Sequence, residues 1–193
     1  IMKNQTNETT LTADNAKEER RRLYFDQLRH RMNWDFLGID DFHAEFGNDV
    51  VSTSELEKQK VDFVRSWFVE NGSTVPDDDQ LAAIASVDKN LQLVAGAGSG
   101  KTTTVVHRAL FLIKHCGVKP REILMLAFNR KAAREVRVRI LSLLGEGMED
   151  EIEERIGELN STSGGTEDKA IDDVGCKYEI ELPFVMIFHA LAY

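Results

Sequence analysis

Apolar residues in the second half of the chain recur with helical spacing in some segments and form short continuous runs in others. Recurrence every three or four residues predicts helices, and short apolar runs between turn residues predict buried strands. Gly117 and Gly145 stand where two of the helices are predicted to stop. The predicted helices are 77–86, 101–115 and 130–144, and the predicted strands are 91–95, 122–128 and 184–188. This alternation predicts an α/β fold, a parallel sheet with flanking helices.

A small helical region is predicted before this sheet. Residues 1–16 are polar and carry no apolar period, so we predict a disordered N-terminus there. Ser54 and Glu57 fit a capping box at the start of the second predicted helix. The basic run 20–22 is compatible with a nucleic-acid contact, but a solvated helix face is the favoured interpretation. The two predicted helices span 18–37 and 54–70, within an accessory region at 17–75.

The negative charge of the chain is concentrated in one segment. The formal net charge is -9, and residues 145–181 hold 13 of the 33 acidic but only 3 of the 24 basic residues. The rest of the chain is therefore nearly neutral, and the total charge does not exclude a polyanionic partner. We predict that 145–181 is an inserted acidic loop with one short helical region at 149–159.

A loop of small residues joins the strand predicted at 91–95 to the helix that begins at Lys101. Small residues let successive backbone N–H groups surround a phosphate, and the helix adds the positive end of its dipole. Lys101 is predicted to reach the β- and γ-phosphates and the Thr102 hydroxyl to bind Mg²⁺, so both are candidate catalytic residues. Ala95 stands where the general GxxxxGK[ST] pattern has its first glycine. The remaining alternative is a glycine-rich turn that binds nothing.

Four segments together resemble the motifs of the UvrD/Rep group of superfamily 1 helicases. Residues 95–102 (AGAGSGKT) resemble the phosphate loop of that group, and 76–84 (PDDDQLAAI) resemble its Q motif. Residues 126–135 (LAFNRKAARE) resemble motif Ia, in wording closer to helicase IV than to UvrD, and 187–192 (IFHALA) resemble motif Ib. The resemblance implies a P-loop NTPase domain of the RecA-like type over 76–193, using ATP and Mg.

The same resemblance implies a role for individual residues. Gln80 would recognise adenine, which fits the donor and acceptor of a carboxamide. The nucleotide would be held by Gln80, Ala95, Gly96, Ala97, Gly98, Ser99, Gly100, Lys101, Thr102 and Thr103. Single-stranded DNA would contact Phe128, Asn129, Arg130, Lys131, Phe188 and His189. Two alternatives stay open, since Phe128 also fits a core aromatic and His189 a structural histidine.

The function implied is that of an ATP-dependent DNA helicase moving 3'-5' on single strands, with a role in DNA repair. In this family an apolar strand ending in Asp-Glu follows motif Ib and supplies the acids for hydrolysis. No such strand follows 187–192, so we expect the remainder of the helicase chain after Tyr193 and no hydrolysis by this portion alone. The incomplete domain leaves a second interpretation, a nucleotide- or nucleic-acid-binding module without turnover. An unrelated P-loop kinase is a third.

Apolar runs and cysteines limit the remaining classes. The longest runs, such as 123–128, are too short to span a bilayer, so we expect no membrane partner and a cytoplasmic location. Cys116 and Cys176 lie in no metal-ligand pattern and are interpreted as unpaired thiols.

Overall fold

The computed structural model describes residues 2–87, 90–94, 96, 98–145, 148–161 and 167–188. The chain divides into two compact units, Ile1–Leu93 and Val94–Tyr193. The sequence predicts a domain boundary at residue 76. Because the two units meet at 93–94, the segment that contains Gln80 belongs to the first unit.

The first unit is helical. It contains α1 (Met2–Trp34), α2 (Ile39–Phe46), α3 (Thr53–Glu70) and α4 (Asp78–Ala85), with a 3-10 turn at Phe36–Gly38. Helix α1 begins at Met2, so the polar residues predicted to be disordered are helical. Residues 1–34 include no glycine or proline, and extending an existing helix costs little once its nucleus has formed.

A core of aromatic and aliphatic side chains holds the first unit together. Phe36 and Phe68 are almost completely buried, as are Leu28, Leu56 and Leu81. The capping residue of α3 is Ser52, whose hydroxyl accepts a hydrogen bond from the Glu55 N–H at 3.2 Å. The predicted capping box at Ser54 was therefore wrong by two residues.

A buried lysine lies among these apolar side chains. The side chain of Lys60 is 2% exposed, and its ammonium group donates hydrogen bonds to Asp40 and to Glu57, the latter at 2.8 Å. Burial by itself lowers the pKa of Lys60, but the bonds to the two carboxylates outweigh that effect and raise it. The ammonium group is therefore charged and satisfied at neutral pH.

The second unit combines helices with a short parallel sheet. It contains α5 (Lys101–His115), β1 (Leu124–Ala127), α6 (Arg130–Leu144), α7 (Met148–Ser161), α8 (Glu167–Lys177) and β2 (Phe184–Ile187), with a 3-10 turn at Pro120–Glu122. Strands β1 and β2 are parallel, with Leu124 opposite Phe184 and Ala127 opposite Ile187. The mixed helix-rich α/β architecture agrees with the prediction. The predicted bounds of α5 and α6 are confirmed.

Residues 91–94 do not form the strand predicted at 91–95, and residue 95 lies outside the described residues. The described residues Leu91–Val94 carry no strand assignment, and the side chains of Leu91 and Val94 are 46% and 85% exposed. A central parallel strand is stabilised by ladder hydrogen bonds and by burial of both faces. Among the described residues, β1 and β2 pair only with each other, so this segment has no ladder partner.

The acidic segment contains two helices: α7 confirms the helical region predicted at 149–159, and α8 forms where the sequence predicted a loop. Helices α7 and α8, here called the acidic helix pair, pack against each other and against α6. Their apolar residues form a cluster with Leu141 of α6, which is completely buried. The other members of the cluster are Met148, Ile152, Ile171 and Val174. Apolar residues at helical spacing therefore outweighed the high charge.

Candidate nucleotide and nucleic-acid site

The phosphate-loop segment turns sharply before α5 begins. Gly98 and Gly100 both have φ of 77°, a left-handed conformation that glycine adopts without steric cost. Gly100 is the N-cap of α5 and brings no side chain to the first turn. The N–H groups of that turn and the positive end of the helix dipole therefore face the loop. This geometry fits a bound phosphate.

The side chain of Lys101 folds back over the loop. Its ammonium group donates a hydrogen bond to the Gly96 carbonyl, and the Ser99 hydroxyl donates to the same oxygen at 2.8 Å. Lys101 and Thr102 are both exposed. The residues described here therefore fit a nucleotide phosphate with its Mg²⁺, since a flexible cation and a hydroxyl lie beside a helix N-terminus.

Thr103 contacts the neighbouring helix α6. Its hydroxyl oxygen accepts a hydrogen bond from the guanidinium group of Arg139 in α6 at 3.1 Å, and Arg139 also donates to Glu135 at 2.7 Å. The carbonyl of Thr103 bonds to Nδ1 of His107 at 2.8 Å. The pKa of His107 is lowered. Burial is the main cause and the positive charge of Arg139 acts in the same direction, whereas the bond to the Thr103 carbonyl raises the pKa.

The sequence analysis did not identify Arg139 as a site residue, although its spacing from Glu135 indicates an ion pair. Glu135 and Arg139 are four residues apart on one helix, a spacing at which opposite charges pair. The contact with Thr103 joins residues 36 apart in the chain, so only the packing of α6 beside α5 reveals it.

An apolar cleft of about 470 Å³ lies within the second unit, next to Lys101 and Thr102. One face of β1 forms its floor, with α5 and α6 on either side. Leu124 and Leu126 of β1 are 51% and 45% exposed, so this face of the sheet is only partly covered.

Two aromatic residues follow the carboxyl ends of the two strands. Phe128 follows β1 and Phe188 follows β2, and the side chains are 84% and 64% exposed. The alternative that Phe128 is a core aromatic is therefore wrong. Exposed aromatic rings at one edge of a sheet are suited to stacking against nucleobases.

The start of α6 lies beside Phe128. Asn129 is the N-cap, and its Oδ1 accepts a hydrogen bond from the Ala132 N–H at 2.8 Å, so this oxygen serves the helix. The side-chain NH₂ of Asn129 takes no part in that bond, and Arg130 and Lys131 are exposed. Two cations at a helix N-terminus next to exposed aromatics fit a phosphate backbone.

The basic face of α6 does not continue along the helix. Arg137 lies between two carboxylates of the acidic helix pair, donating to Asp168 at 3.2 Å and also to Asp172, and its side chain is 18% exposed. Arg137 is thus already occupied, whereas Arg130 and Lys131 at the N-terminal end of α6 are exposed. In the first unit, Arg20 and Arg21 are likewise paired, with Asp49 and Glu55.

The predicted adenine residue lies on α4. Asp77 caps this helix by accepting a hydrogen bond from the Gln80 N–H at 2.8 Å, and the Gln80 side chain is half-buried. Gln80 belongs to the first unit and the phosphate loop to the second. Three further predicted residues, Ala95, Ala97 and His189, lie outside the described residues.

None of the described helices is both long and apolar enough to cross a membrane.

Comparison with known proteins gives a consistent set of relatives. Residues 77–193 match the family described as UvrD/REP helicase N-terminal domain. A probable DNA helicase II homolog of Mycoplasma capricolum is 39% identical over 75 residues, 39% of this chain and 10% of that protein. The ATP-dependent DNA helicase PcrA of Bacillus subtilis is 45% identical over 71 residues, 37% of this chain and 10% of PcrA. The matched region spans about a tenth of the length of these relatives.

Proposed function

This chain belongs to the UvrD/REP helicase N-terminal domain family, and from that premise we propose that it supplies the ATP-binding and strand-binding portion of an ATP-dependent DNA helicase. One observation carries the proposal. A single α/β unit holds a phosphate-loop turn at the start of α5 and two exposed aromatic residues, Phe128 and Phe188, at the carboxyl edge of its sheet.

In the proposed nucleotide site, Lys101 neutralises the β- and γ-phosphates and the Thr102 hydroxyl contributes a ligand to Mg²⁺. Backbone N–H groups of 95–103 surround the phosphates, and Gln80 selects adenine through its carboxamide. Mg-ATP supplies the phosphoanhydride bond whose hydrolysis drives movement.

In the proposed nucleic-acid site, single-stranded DNA stacks its bases on Phe128 and Phe188. Arg130, Lys131 and the NH₂ group of Asn129 hold the phosphates, and His189 adds a contact beside Phe188. Such a track binds any sequence, as a motor that moves along DNA requires.

We further propose that β1 and β2 are part of a larger, RecA-like parallel sheet. Each described strand has one neighbour, which leaves an unpaired edge on both sides of the pair. Translocation in the 3'-5' direction, DNA repair and a cytoplasmic location complete the proposal. The particular likeness to helicase IV stays a prediction.

The experiment that tests this function is binding of Mg-ATP to the chain beside a Lys101→Ala variant, with phosphate release followed in the presence of single-stranded DNA. Loss of one charge-assisted phosphate contact should weaken nucleotide binding by about tenfold or more. Lys119→Ala, which removes an exposed lysine from the turn before β1, is the matched control and should bind normally.

Each outcome has a distinct meaning. Binding that depends on Lys101 without phosphate release supports a nucleotide-binding portion of a larger motor. DNA-stimulated release contradicts the expectation that this portion cannot hydrolyse ATP alone. Equal affinity of Lys101→Ala and the unchanged chain contradicts the nucleotide site, and equal affinity for ATP and GTP contradicts the role of Gln80.

A further inference from the structure

The two proposed ligand sites lie at the beginnings of two neighbouring helices. Lys101 and Thr102 are the first residues of α5, and Arg130 is the first residue of α6. Along α6, Arg139 lies about 13–14 Å from Arg130, at a rise of roughly 1.5 Å per residue. A side chain that fixes α6 to the first turn of α5 therefore connects the two sites mechanically.

Arg139 makes this connection. One end of its guanidinium group donates to Glu135 on its own helix at 2.7 Å, and the other donates to the Thr103 hydroxyl at 3.1 Å. Thr103 directly follows the proposed Mg²⁺ ligand. Since Glu135 fixes the guanidinium on α6, a shift of the first turn of α5 either moves α6 or breaks the bond to Thr103.

We propose that Arg139 is a positioning residue that couples the nucleotide site to the strand site through its bond to Thr103. This inference rests on the proposed function. Binding of a phosphate and Mg²⁺ at the start of α5 would displace Thr103, and Arg139 passes the displacement to α6 and thus to Arg130. Coupling between two ligands is a free energy shared reciprocally by both.

The test measures that coupling directly. The Kd of a fluorescent single-stranded oligonucleotide is determined with and without a non-hydrolysable Mg-ATP analogue, and the ratio of the two values is the coupling factor. Typical couplings are roughly 5- to 150-fold. Arg139→Ala should bring the factor close to one while changing each separate affinity less than about twofold. Thr103→Val, which removes the acceptor and keeps the arginine, should reduce the factor as well.

Arg137→Ala is the matched control, because it removes an arginine from the same helix that bonds to Asp168 and Asp172 instead of Thr103. It should keep the coupling factor of the unchanged chain. The double variant of Arg139→Ala and Thr103→Val should be no worse than either single variant, since both remove the same bond.

The failures can be told apart. Three results would overturn the role of Arg139 without affecting the proposed function. The coupling factor could be unchanged in Arg139→Ala, it could be reduced equally in Arg137→Ala, or the reductions could add in the double variant. A factor of one in the unchanged chain overturns the coupling itself. If the unchanged chain binds neither ligand, the proposed function falls and this inference falls with it.

Discussion

Phe128 and Phe188 leave neighbouring parallel strands at the same edge of the sheet, because the register pairs Ala127 with Ile187. Neighbouring strands lie about 4.8 Å apart, so a single strand of nucleic acid can cover both rings. Exposing apolar rings to water is unfavourable. Stacking of bases on Phe128 and Phe188 would remove this exposure.

Replacing either ring should weaken the binding of single-stranded DNA. We expect Phe128→Ala and Phe188→Ala each to lose about 1–3 kcal/mol, the usual value of one base stacked on an aromatic ring. Fluorescence anisotropy with a labelled oligonucleotide measures the loss. Phe184→Ala is the control, since Phe184 is 54% exposed but lies at the opposite end of β2. Equal losses at Phe184 and Phe188 would contradict a site at the carboxyl edge.

The backbone of the phosphate loop can be tested with two glycines. An added Cβ at Gly96 or Gly98 would meet no atom within 4 Å, but only Gly98 of these two has a positive φ, 77°. Gly98→Ala should therefore weaken Mg-ATP binding by about 1–2 kcal/mol through backbone strain alone. Gly96→Ala should change binding by less than about 0.5 kcal/mol. Calorimetric titration compares the two, and similar losses would show that the left-handed turn is not required.

The charge at the start of α6 should set the salt dependence of DNA binding. Arg130→Ala removes one phosphate contact, so affinity should fall for all sequences, and the slope of log K against log salt should decrease in magnitude by about 0.7. Arg137→Ala should leave that slope unchanged, because Arg137 is already held by two aspartates. An unaltered slope in Arg130→Ala would remove this residue from the site.

Tyr24 should give the first unit an alkaline transition. Its hydroxyl forms a 2.7 Å hydrogen bond with Nδ1 of His43, and burial, assisted by Asp40 and Glu55, raises the pKa of Tyr24 to about 12. In the unfolded chain the hydroxyl ionises near pH 10, so between pH 10 and 12 the unfolded state gives up a proton that the folded state keeps. Stability should fall by roughly 2–3 kcal/mol across that interval.

Tyr24→Phe should lose about 1 kcal/mol at neutral pH, where the hydrogen bond is intact, and should lack this part of the alkaline decline. Both tryptophans, Trp34 and Trp67, belong to the first unit, so their fluorescence reports its unfolding in urea. Lys60 contributes its own alkaline loss to both proteins, and the difference between the two curves isolates Tyr24. Parallel curves would contradict the raised pKa.

The two cysteines should differ in reactivity. Burial raises the pKa of Cys116 to about 12, against the opposing charge of Arg108, whereas Cys176 is exposed. At pH 8 only about one Cys116 in ten thousand would be a thiolate, the form that reacts. A disulfide reagent should modify one thiol quickly in the folded chain and the second only after denaturation. A fast reaction in Cys176→Ser would contradict the assignment.

Helix bounds that depend on neighbouring residues were predicted well, although the cap of α3 was misplaced by two residues. The bounds of α5 and α6 follow from local start and stop signals. Features that depend on distant residues were not. An apolar run such as 91–94 becomes a strand only with a partner, and the exposure of Phe128 depends on how the sheet is covered. Charge misled the prediction for α8 alone, where Ile171 and Val174 are buried despite the surrounding acids.

The acidic helix pair gives α6 a dependency that its own sequence does not reveal. Leu141 is buried against side chains of the acidic helix pair, and two carboxylates of the same pair bind Arg137. Joining residue 145 directly to residue 182 would therefore expose Leu141 of α6 to water and leave Arg137 without its two aspartate partners. A minimal version of this domain cannot be made by removing these two helices alone, because α6 would have to be redesigned as well.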